Sequence, residues 1–427
     1  MSMIYIRNAA QIATLSGAST KPKTGKEMDE LDLIEDGGIV IEDGMFTFVG
    51  SNEDAFRYVE SHSMSKQVLV LSAEGKTVTP GLIDPHTHVV FAGSREFELN
   101  LRLQGAKYMD ILNAGGGILY STERTREATE EQLIAETTKR LDRFLAYGVT
   151  TIEAKSGYGL RIEDELKQLR VARQLNAAHP VDLVSTFMGA HAVPAEFKGN
   201  TEGFVRTVIE EMIPAVAREE LAEFCDVFCE EGAFTVEQSR EILVAGKKWG
   251  LKPKIHADEI VPYGGAELAA ELGAVSADHL LHASEEGIKL MAENGVIAVL
   301  LPGTAFFLMV QPAAARAMIN AGVPVALSTD RNPGSSPTES LPFIMNLACL
   351  TMKMTPAEVL SACTINAAHA INRANVIGSI EVGKQADLVM FDAPNYLYLQ
   401  YHYAVNLVDT VLKKGEVVIQ NGKRVYG

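Results

Sequence analysis

A recurring punctuation, rather than a recurring sequence, most constrains what this chain can fold into. From Thr79 onward, short apolar runs of strand length alternate with amphipathic stretches of helix length. VTTIEAKSGYG precedes IEDELKQLRVARQLNAAHP, and VDLVSTFMGAHAVP precedes FVRTVIEEMIPAVAREE. FCDVFC precedes SREILVAGKKWG, KPKIHADEI precedes GGAELAAELG, and AVSADHL precedes SEEGIKLMAENG. VIAVLLPG and AAARAMINAG lead to VPVALSTD. Strands linked through helices lie parallel, and a series this long suits a closed barrel better than a small open sheet. ATEEQLIAETTKRLDRFLAYG typifies the helices: Leu133, Leu141, Phe144 and Leu145 share compatible faces, and Gly148 suits the C-terminal cap.

The two ends read differently. Residues 1–79 carry strand-like runs, among them GGIVIEDGMFTFVG, whose Asp43-Gly44 is a hairpin turn signal. TKPKTGKEMDELDL between the early strands reads as a loop. GSIEVGKQADLVMFDAP, DTVLKKGEVVIQNGKRVYG and the residues between them also read as strands and hairpins. N-terminal strands alone would leave an open edge that the C-terminal ones could complete. The expected fold class is therefore α/β. A (β/α)8 TIM-like barrel spans 80–380, and a small β-sandwich forms from 1–79 and 381–427.

Bulk properties exclude several classes. Of 427 residues 47% are hydrophobic and 22% charged, an ordinary globular balance, and the formal net charge is -17. That field disfavours nucleic acid and anionic membrane surfaces, although a local arginine still admits an anionic small molecule. The N-terminus shows no basic start followed by a long apolar run, and no apolar stretch reaches spanning length, so a cytoplasmic location without membrane contact is expected. The four cysteines form no dense disulfide pattern. Cys225 and Cys229 lack a second pair to complete a metal cage and are expected to be buried thiols. NAGGGILYSTERTRE lacks the lysine of a phosphate-binding loop and is expected to be a loop over the barrel mouth. PYGGAELAAELG reads as a helix start.

Metal-ligand residue types fall at the ends of the apolar runs, which in a barrel meet at one mouth. His86 and His88 in GLIDPHTHVVF point the same way if the backbone is extended. His256 in KPKIHADE, His279 in VSADHL and Asp330 in VPVALSTDRNPG each follow a further run. Any one of these histidines alone would read as an ordinary core or surface residue. Together they suit zinc or iron with an open coordination position. Asp330 could also accept a proton from water.

PGLIDPHTHVVFAG, KIHADE, SADHL, ALSTDRNPGSS and GSIEVGKQADLVMFD resemble the amidohydrolase superfamily. EAKSGYGL, TFMGAHAVP and STDRNPGSSP are similar to its imidazolonepropionase family, the ring-opening enzymes of histidine degradation, and the likeness covers essentially the whole chain. The resemblance implies hydrolysis of the cyclic amide bond of 4-imidazolone-5-propanoate to N-formimidoyl-L-glutamate, the third step of histidine degradation, by a metal-activated water. It implies one divalent metal per chain, zinc or iron, held by His86, His88, His256 and Asp330. His279 then orients water or substrate. Many relatives bridge two metals with a carboxylated lysine, for which Lys155 would be the candidate. The one-metal pattern instead makes Lys155 a wall or structural residue. A homodimer is common for enzymes of this type.

The implied substrate is a small cyclic anion with a flexible carboxylate tail. Arg95, on the first mouth loop, offers the planar fork that a carboxylate favours. Tyr158 could donate to tail or ring, and His191 could hold the ring carbonyl oxygen. Asn332, Gly334 and Ser335 form a constrained turn beside the metal that could present a side-chain amide and backbone groups to the ring nitrogens. Arg331 is not assigned to the pocket. Glu259, three residues after His256, matches the glutamate that related deaminases use for proton transfer. A deaminase acting on a purine or pyrimidine ring would use similar ligands, and Arg95 and Tyr158 separate the two readings. A binding or assembly protein on the same barrel is the alternative from another class. Retention of every metal position weighs against it.

Overall fold

The computed structural model describes residues 2–63, 66–105 and 116–426. Eight parallel strands form one sheet in sequential order: β6 (Leu82–Asp84), β7 (Val149–Lys155), β8 (Asp182–Ala190), β9 (Phe224–Cys229), β10 (Lys252–Ala257), β11 (Ser276–His279), β12 (Ile297–Leu300) and β13 (Val325–Leu327). Helices of the connecting segments pack around them, as with Glu130–Ala146 against β7 and Ile162–Ala178 against β8. Thr129 opens the first of these helices with a capping box. The last gap, between β6 and β13, closes mainly through side chains. The buried Asp84 carboxylate accepts from Thr329 Oγ1 at 2.6 Å, from Thr329 N at 3.2 Å and from Ser328 Oγ. His88 N then donates to Arg331 O at 2.9 Å.

The remaining strands belong to one nine-stranded mixed sheet. They are β1 (Ser2–Ala13), β2 (Leu33–Glu42), β3 (Met45–Ser51), β4 (Gln67–Ser72), β5 (Thr77–Pro80), β14 (Leu388–Phe391), β15 (Val408–Lys413), β16 (Glu416–Gln420) and β17 (Lys423–Arg424). Both ends of the chain contribute, as expected, and they meet where β5 pairs antiparallel with β14, Thr79 opposite Val389. What was expected as a sandwich is hydrogen-bonded as a single sheet, with β1 paired to β2 on one edge and to β4 and β5 on the other. Alternation along β1 sends Ile4 and Ile6 into a core shared with Ile39, Leu388 and Leu412, and Met3 and Tyr5 to the opposite face. Asp43 (φ +48°) and Gly44 (φ +78°) make the β2–β3 turn, the left-handed pair that a tight hairpin requires.

Two segments differ from the sequence reading. Asn52–His62, inside the strand-like N-terminal region, is a helix capped by the Ser51 side chain, and Ala55 packs it onto Met3 and Tyr5. Tyr396–Tyr401, expected among C-terminal strands and hairpins, is a short helix capped by Asn395. In both, a capping side chain outweighs residues of mixed preference. Of the stretch expected as a mouth loop, residues 113–115 lie outside the described residues, and Ile118–Glu127 is helical. Cys225 and Cys229 are buried free thiols.

Candidate active site

The strand ends bring His86, His88, His256, His279 and Asp330 together at one end of the barrel, all nearly or wholly buried. His86 and His88 follow β6, His256 lies in β10, His279 ends β11, and Asp330 follows β13. His279 (φ +75°) and Asp330 (φ +52°) occupy the left-handed region, where the backbone turns sharply out of its strand. Asn332 Nδ2 holds the turn after Asp330 by donating to Asp330 O at 2.7 Å.

The hydrogen bonds fix how the rings face. His86 Nδ1 lies 2.6 Å from Asp278 Oδ2, His256 Nδ1 3.1 Å from Asp226 Oδ1, and His88 Nδ1 3.3 Å from Ser156 O. Each partner only accepts, so each Nδ1 carries the proton and each Nε2 keeps a lone pair. Those lone pairs converge. His88 Nε2 and His256 Nε2 are 3.4 Å apart, and His86 Nε2 lies 3.4 Å from Asp330 Oδ1 with no hydrogen-bond partner. Buried acceptors facing one another without a proton repel, and a cation removes that repulsion. Burial, followed by the positive charge of Lys155 for His86 and the neighbouring His191 for His88, holds both rings well below the usual imidazole range. His86, His88 and Asp330, and likewise His86, His256 and His279, bring ligand atoms within 4.8 Å of one another. The residues present therefore fit one divalent ion.

Lys155 Nζ does not join that convergence. It lies among Asp226, Glu153 and Asp278, at 2.6, 3.1 and 3.2 Å. Burial works to lower its pKa, yet the three carboxylates raise it on balance well above the usual lysine value. An ammonium has no lone pair with which to carry a carboxylate bridge. Asp226 and Asp278 are functional residues the sequence reading passed over. A lone aspartate inside the apolar strand FCDVFC, and another beside the histidine of SADHL, were the available signals.

The cavity, about 480 Å³, is lined by His88, His256, His279 and Asp330, together with Tyr158, His191, Glu259, Arg95, Asn332, Gly334 and Ser335. Every residue expected to touch substrate lines it, and Arg331 does not. Arg331 instead donates through Nε to Glu339 at 2.8 Å. Arg95 donates through Nε and Nη2 to the two oxygens of Glu98, at 2.7 and 2.9 Å. Tyr158 is buried beside His88 and His191. Burial, with Asp330 and Glu259 opposing Arg95, raises the pKa of its hydroxyl, which stays protonated.

His191 stacks on His88 with ring centroids 4.8 Å apart and planes 11° apart. Its Nδ1 donates to Gly157 O at 3.0 Å, and burial, reinforced by His256, lowers its pKa to about 3. A neutral ring with the proton on Nδ1 accepts at Nε2. It receives a ring N–H more readily than it donates to a carbonyl oxygen.

The Asn332 amide is used within its own turn. Nδ2 also donates to Ser335 Oγ at 2.9 Å, and Oδ1 accepts from Gly334 N and Ser335 N, both at 2.8 Å. It shapes the wall beside Asp330 rather than reaching across the cavity.

Two carboxyls face the cavity in different states. Burial raises Asp330 to about 6, with Thr304 Oγ1 donating at 2.6 Å and His256 working to lower it. Burial, then the charges of Asp330 and Glu230, raise Glu259 to about 8. Glu259 Oε1 lies 3.6 Å from His279 Nδ1. The loop carrying it is held by Glu230, which accepts from the backbone N–H of Glu259, Ile260 and Val261 at 2.9, 2.8 and 3.3 Å.

A proton-poor cluster of imidazoles and a carboxylate, where the loops of a parallel barrel converge, is the working end of a metal-dependent hydrolase. Comparison with known proteins carries this further. The model of the amidohydrolase family matches residues 77–418. An imidazolonepropionase of Shouchella clausii is 67% identical over 420 residues, 98% of this chain and 94% of that one. An imidazolonepropionase of a Geobacillus species is 64% identical over 426 residues, covering both chains fully. Among solved structures, the zinc complex of an atrazine chlorohydrolase from Arthrobacter aurescens matches with a TM-score of 0.73 at 16% identity, over 99% of this chain and 97% of that one. A zinc-bound adenosine deaminase from Xanthomonas campestris matches with a TM-score of 0.71 at 19% identity, over 99% and 94%. These two establish likeness of fold alone. The chain belongs to the amidohydrolase family, and within it to the imidazolonepropionase group.

Proposed function

We propose that this chain hydrolyses the cyclic amide of 4-imidazolone-5-propanoate to N-formimidoyl-L-glutamate, the third step of histidine degradation, with one zinc or iron ion held by His86, His88, His256 and Asp330. The observation that carries the reading is that one cavity is lined both by an electron-rich centre and by the Arg95 guanidinium. That combination suits a molecule carrying both a cyclic amide and a carboxylate. The two relatives described above bear the matching name.

A bound divalent ion supplies Lewis acidity, polarising the ring carbonyl and making water easier to deprotonate. The chain supplies the rest. Asp330, ionised above about pH 6, takes the proton from water. Glu259, protonated up to about pH 8, delivers a proton to the ring nitrogen as the C–N bond breaks, with His279 beside it to orient water or substrate. The paired acid and base have pKa values pushed apart, which lets both work at one pH. His191 accepts a ring N–H at Nε2 and keeps the ring flat against the wall. Arg95 and Tyr158 bind the tail, and Asn332, Gly334 and Ser335 form the side against which it lies.

We divide the chain into 1–79 and 381–427, which share the mixed sheet, and the barrel of 80–380 between them. A cytoplasmic location accords with the four free cysteines. No helix among the described residues is long and apolar enough to cross a membrane. A homodimer accords with the exposed Leu350, Leu397, Tyr401 and Tyr403, and sedimentation would measure it. The decisive experiment assays purified, metal-analysed protein on 4-imidazolone-5-propanoate beside purine and pyrimidine amines. One divalent ion per chain and turnover confined to the imidazolone are expected. Deamination without ring opening would replace this reading with the deaminase one. Full-length folded protein that takes up no stoichiometric ion would point to a binding protein.

A further inference from the structure

Beneath the converging histidines lies a second layer of charge centred on Lys155, the last residue of β7. Its neighbours Glu153, Asp226 and Asp278 and the ammonium itself have no side-chain exposure. Lys254 Nζ adds a contact to Glu153 at 2.9 Å, and Thr186 Oγ1 donates to the same carboxylate. The two aspartates that Lys155 touches hold two of the three metal-facing rings, His256 and His86. Asp226 binds Lys155 through Oδ2 and His256 Nδ1 through Oδ1. Asp278 Oδ2 binds both Lys155 and His86 Nδ1, while its Oδ1 accepts from Ser276 Oγ at 2.6 Å. One ammonium, on the second barrel strand, is thus tied to imidazoles arriving from the first and fifth, through carboxylates on the fourth and sixth.

Charge counting gives this arrangement a purpose. At formal charge, Lys155 and Lys254 set two positive charges against the three negative ones of Glu153, Asp226 and Asp278. The layer then carries one net negative charge, and Asp330 adds a second, which matches one divalent ion. Without Lys155 the excess would be one larger. Asp226, His256 and Asp278 also bring ligand atoms within 4.8 Å of one another. The ammonium lies against both of those carboxylates.

We propose that Lys155 is the positioning residue of the metal centre: a built-in cation that anchors Asp226 and Asp278 and, through them, keeps the protons of His256 and His86 on Nδ1 and their Nε2 lone pairs on the ion. The inference rests on the ligand set proposed above. Two effects of removing Lys155 oppose each other. Loss of a like charge near the ion favours metal binding, and loss of ring alignment disfavours it. Affinity of a Lys155 variant alone is therefore a poor readout, whereas the geometry of the ligand field is a direct one.

The test uses full-length protein exchanged with cobalt(II), its d–d absorption, and competition against a chelator of known affinity. Lys155→Met should displace the cobalt bands from their wild-type positions. Asp278→Asn keeps the side-chain volume and loses only the charge that orients His86, so both effects act in one direction there. It should bind the ion on the order of 10- to 100-fold more weakly. Lys384→Met is the control for loss of a buried lysine elsewhere, because Lys384 Nζ donates to Ala374 O and Ser379 Oγ, both at 2.6 Å, and pairs with Glu381 at 3.4 Å, none of them in the metal site. It should lower Tm and leave spectrum and affinity unchanged. If Lys155→Met does not fold, Asp278→Asn decides. Wild-type bands in Lys155→Met, or wild-type affinity in Asp278→Asn, would overturn the proposal. His86→Ala, run alongside, separates the two layers: full metal retention there would instead overturn the ligand set.

Discussion

Glu98 grips Arg95 through both carboxylate oxygens, 2.7 Å from Nε and 2.9 Å from Nη2, and leaves Nη1 against Gly334 on the cavity side. Glu98 also accepts from Gly117 N at 2.7 Å, so the guanidinium is braced from behind before any ligand arrives. A braced fork loses little freedom on binding a carboxylate. Arg95→Ala should therefore cost about 1.5–3 kcal/mol, roughly 10- to 150-fold in kcat/KM. The control is a substrate analogue without the tail carboxylate, on which the variant should match wild type. An equal loss on both compounds would make Arg95 a support for the loop rather than a partner of the tail.

Gly334 is the other half of that contact. A β-carbon placed there would lie 2.3 Å from Arg95 Nη1 and 2.6 Å from Cζ. The side chain, not the backbone, must yield, and Glu98 resists its movement. Gly334→Ala should fold and bind metal normally but raise KM for the natural substrate several-fold, with kcat affected less. A crystal structure of the variant should show the guanidinium displaced, and an unmoved Arg95 with unchanged KM would rule this out.

Asp330→Asn removes the base while keeping the shape that Thr304 recognises. Turnover should fall roughly 10²-fold or more, and the acid limb of the rate profile, at or below pH 6 in the wild type, should vanish. The sign follows from the raised pKa: the working form is the ionised one, lost as pH falls through about 6. Metal content must be measured on the same sample, because a lost ligand would mimic a lost base. Normal turnover at normal metal content would remove Asp330 from proton transfer.

Glu259 works in the opposite sense. Its protonated form delivers the proton, so activity should decline as pH rises through its pKa, about 8 without an ion and lower beside one. The alkaline limb should lie at or below pH 8 in the wild type and be absent in Glu259→Gln, whose plateau is reduced. Persistence of that limb in the variant would assign it to another group.

The ligands of the first layer were legible because strand ends advertise them: a polar residue after an apolar run has few reasons to be there except the mouth of a barrel. The second layer was harder to see. Asp226 and Asp278 are separated in sequence from the rings they hold, and nothing local marks one carboxylate as the partner of a particular imidazole. The bonding of Asn332 was hidden for a related reason. RNPGSS announces a polar turn, but only the fold reveals that the amide is spent on Gly334, Ser335 and Asp330 O. The protonation of His191 was equally hidden, since a glycine carbonyl 34 residues away sets it. Among the elements, Asn52–His62 escaped because its apolar face, Ala55, Tyr58 and Val59, is narrow and lies inside a strand-rich region, and Tyr396–Tyr401 because it is only six residues long.

The pairing of β5 with β14 has a consequence for how the molecule is made. Thr77–Pro80 leaves the ribosome early, but its hydrogen-bonding partner Leu388–Phe391 follows more than 300 residues later. Throughout that interval the N-terminal strands present an unpaired edge beside an apolar face, the form most prone to join another chain. Nascent chains stalled or truncated before Leu388 should therefore depend on chaperones and aggregate when these are scarce, even though all eight barrel strands have been synthesised by Leu327.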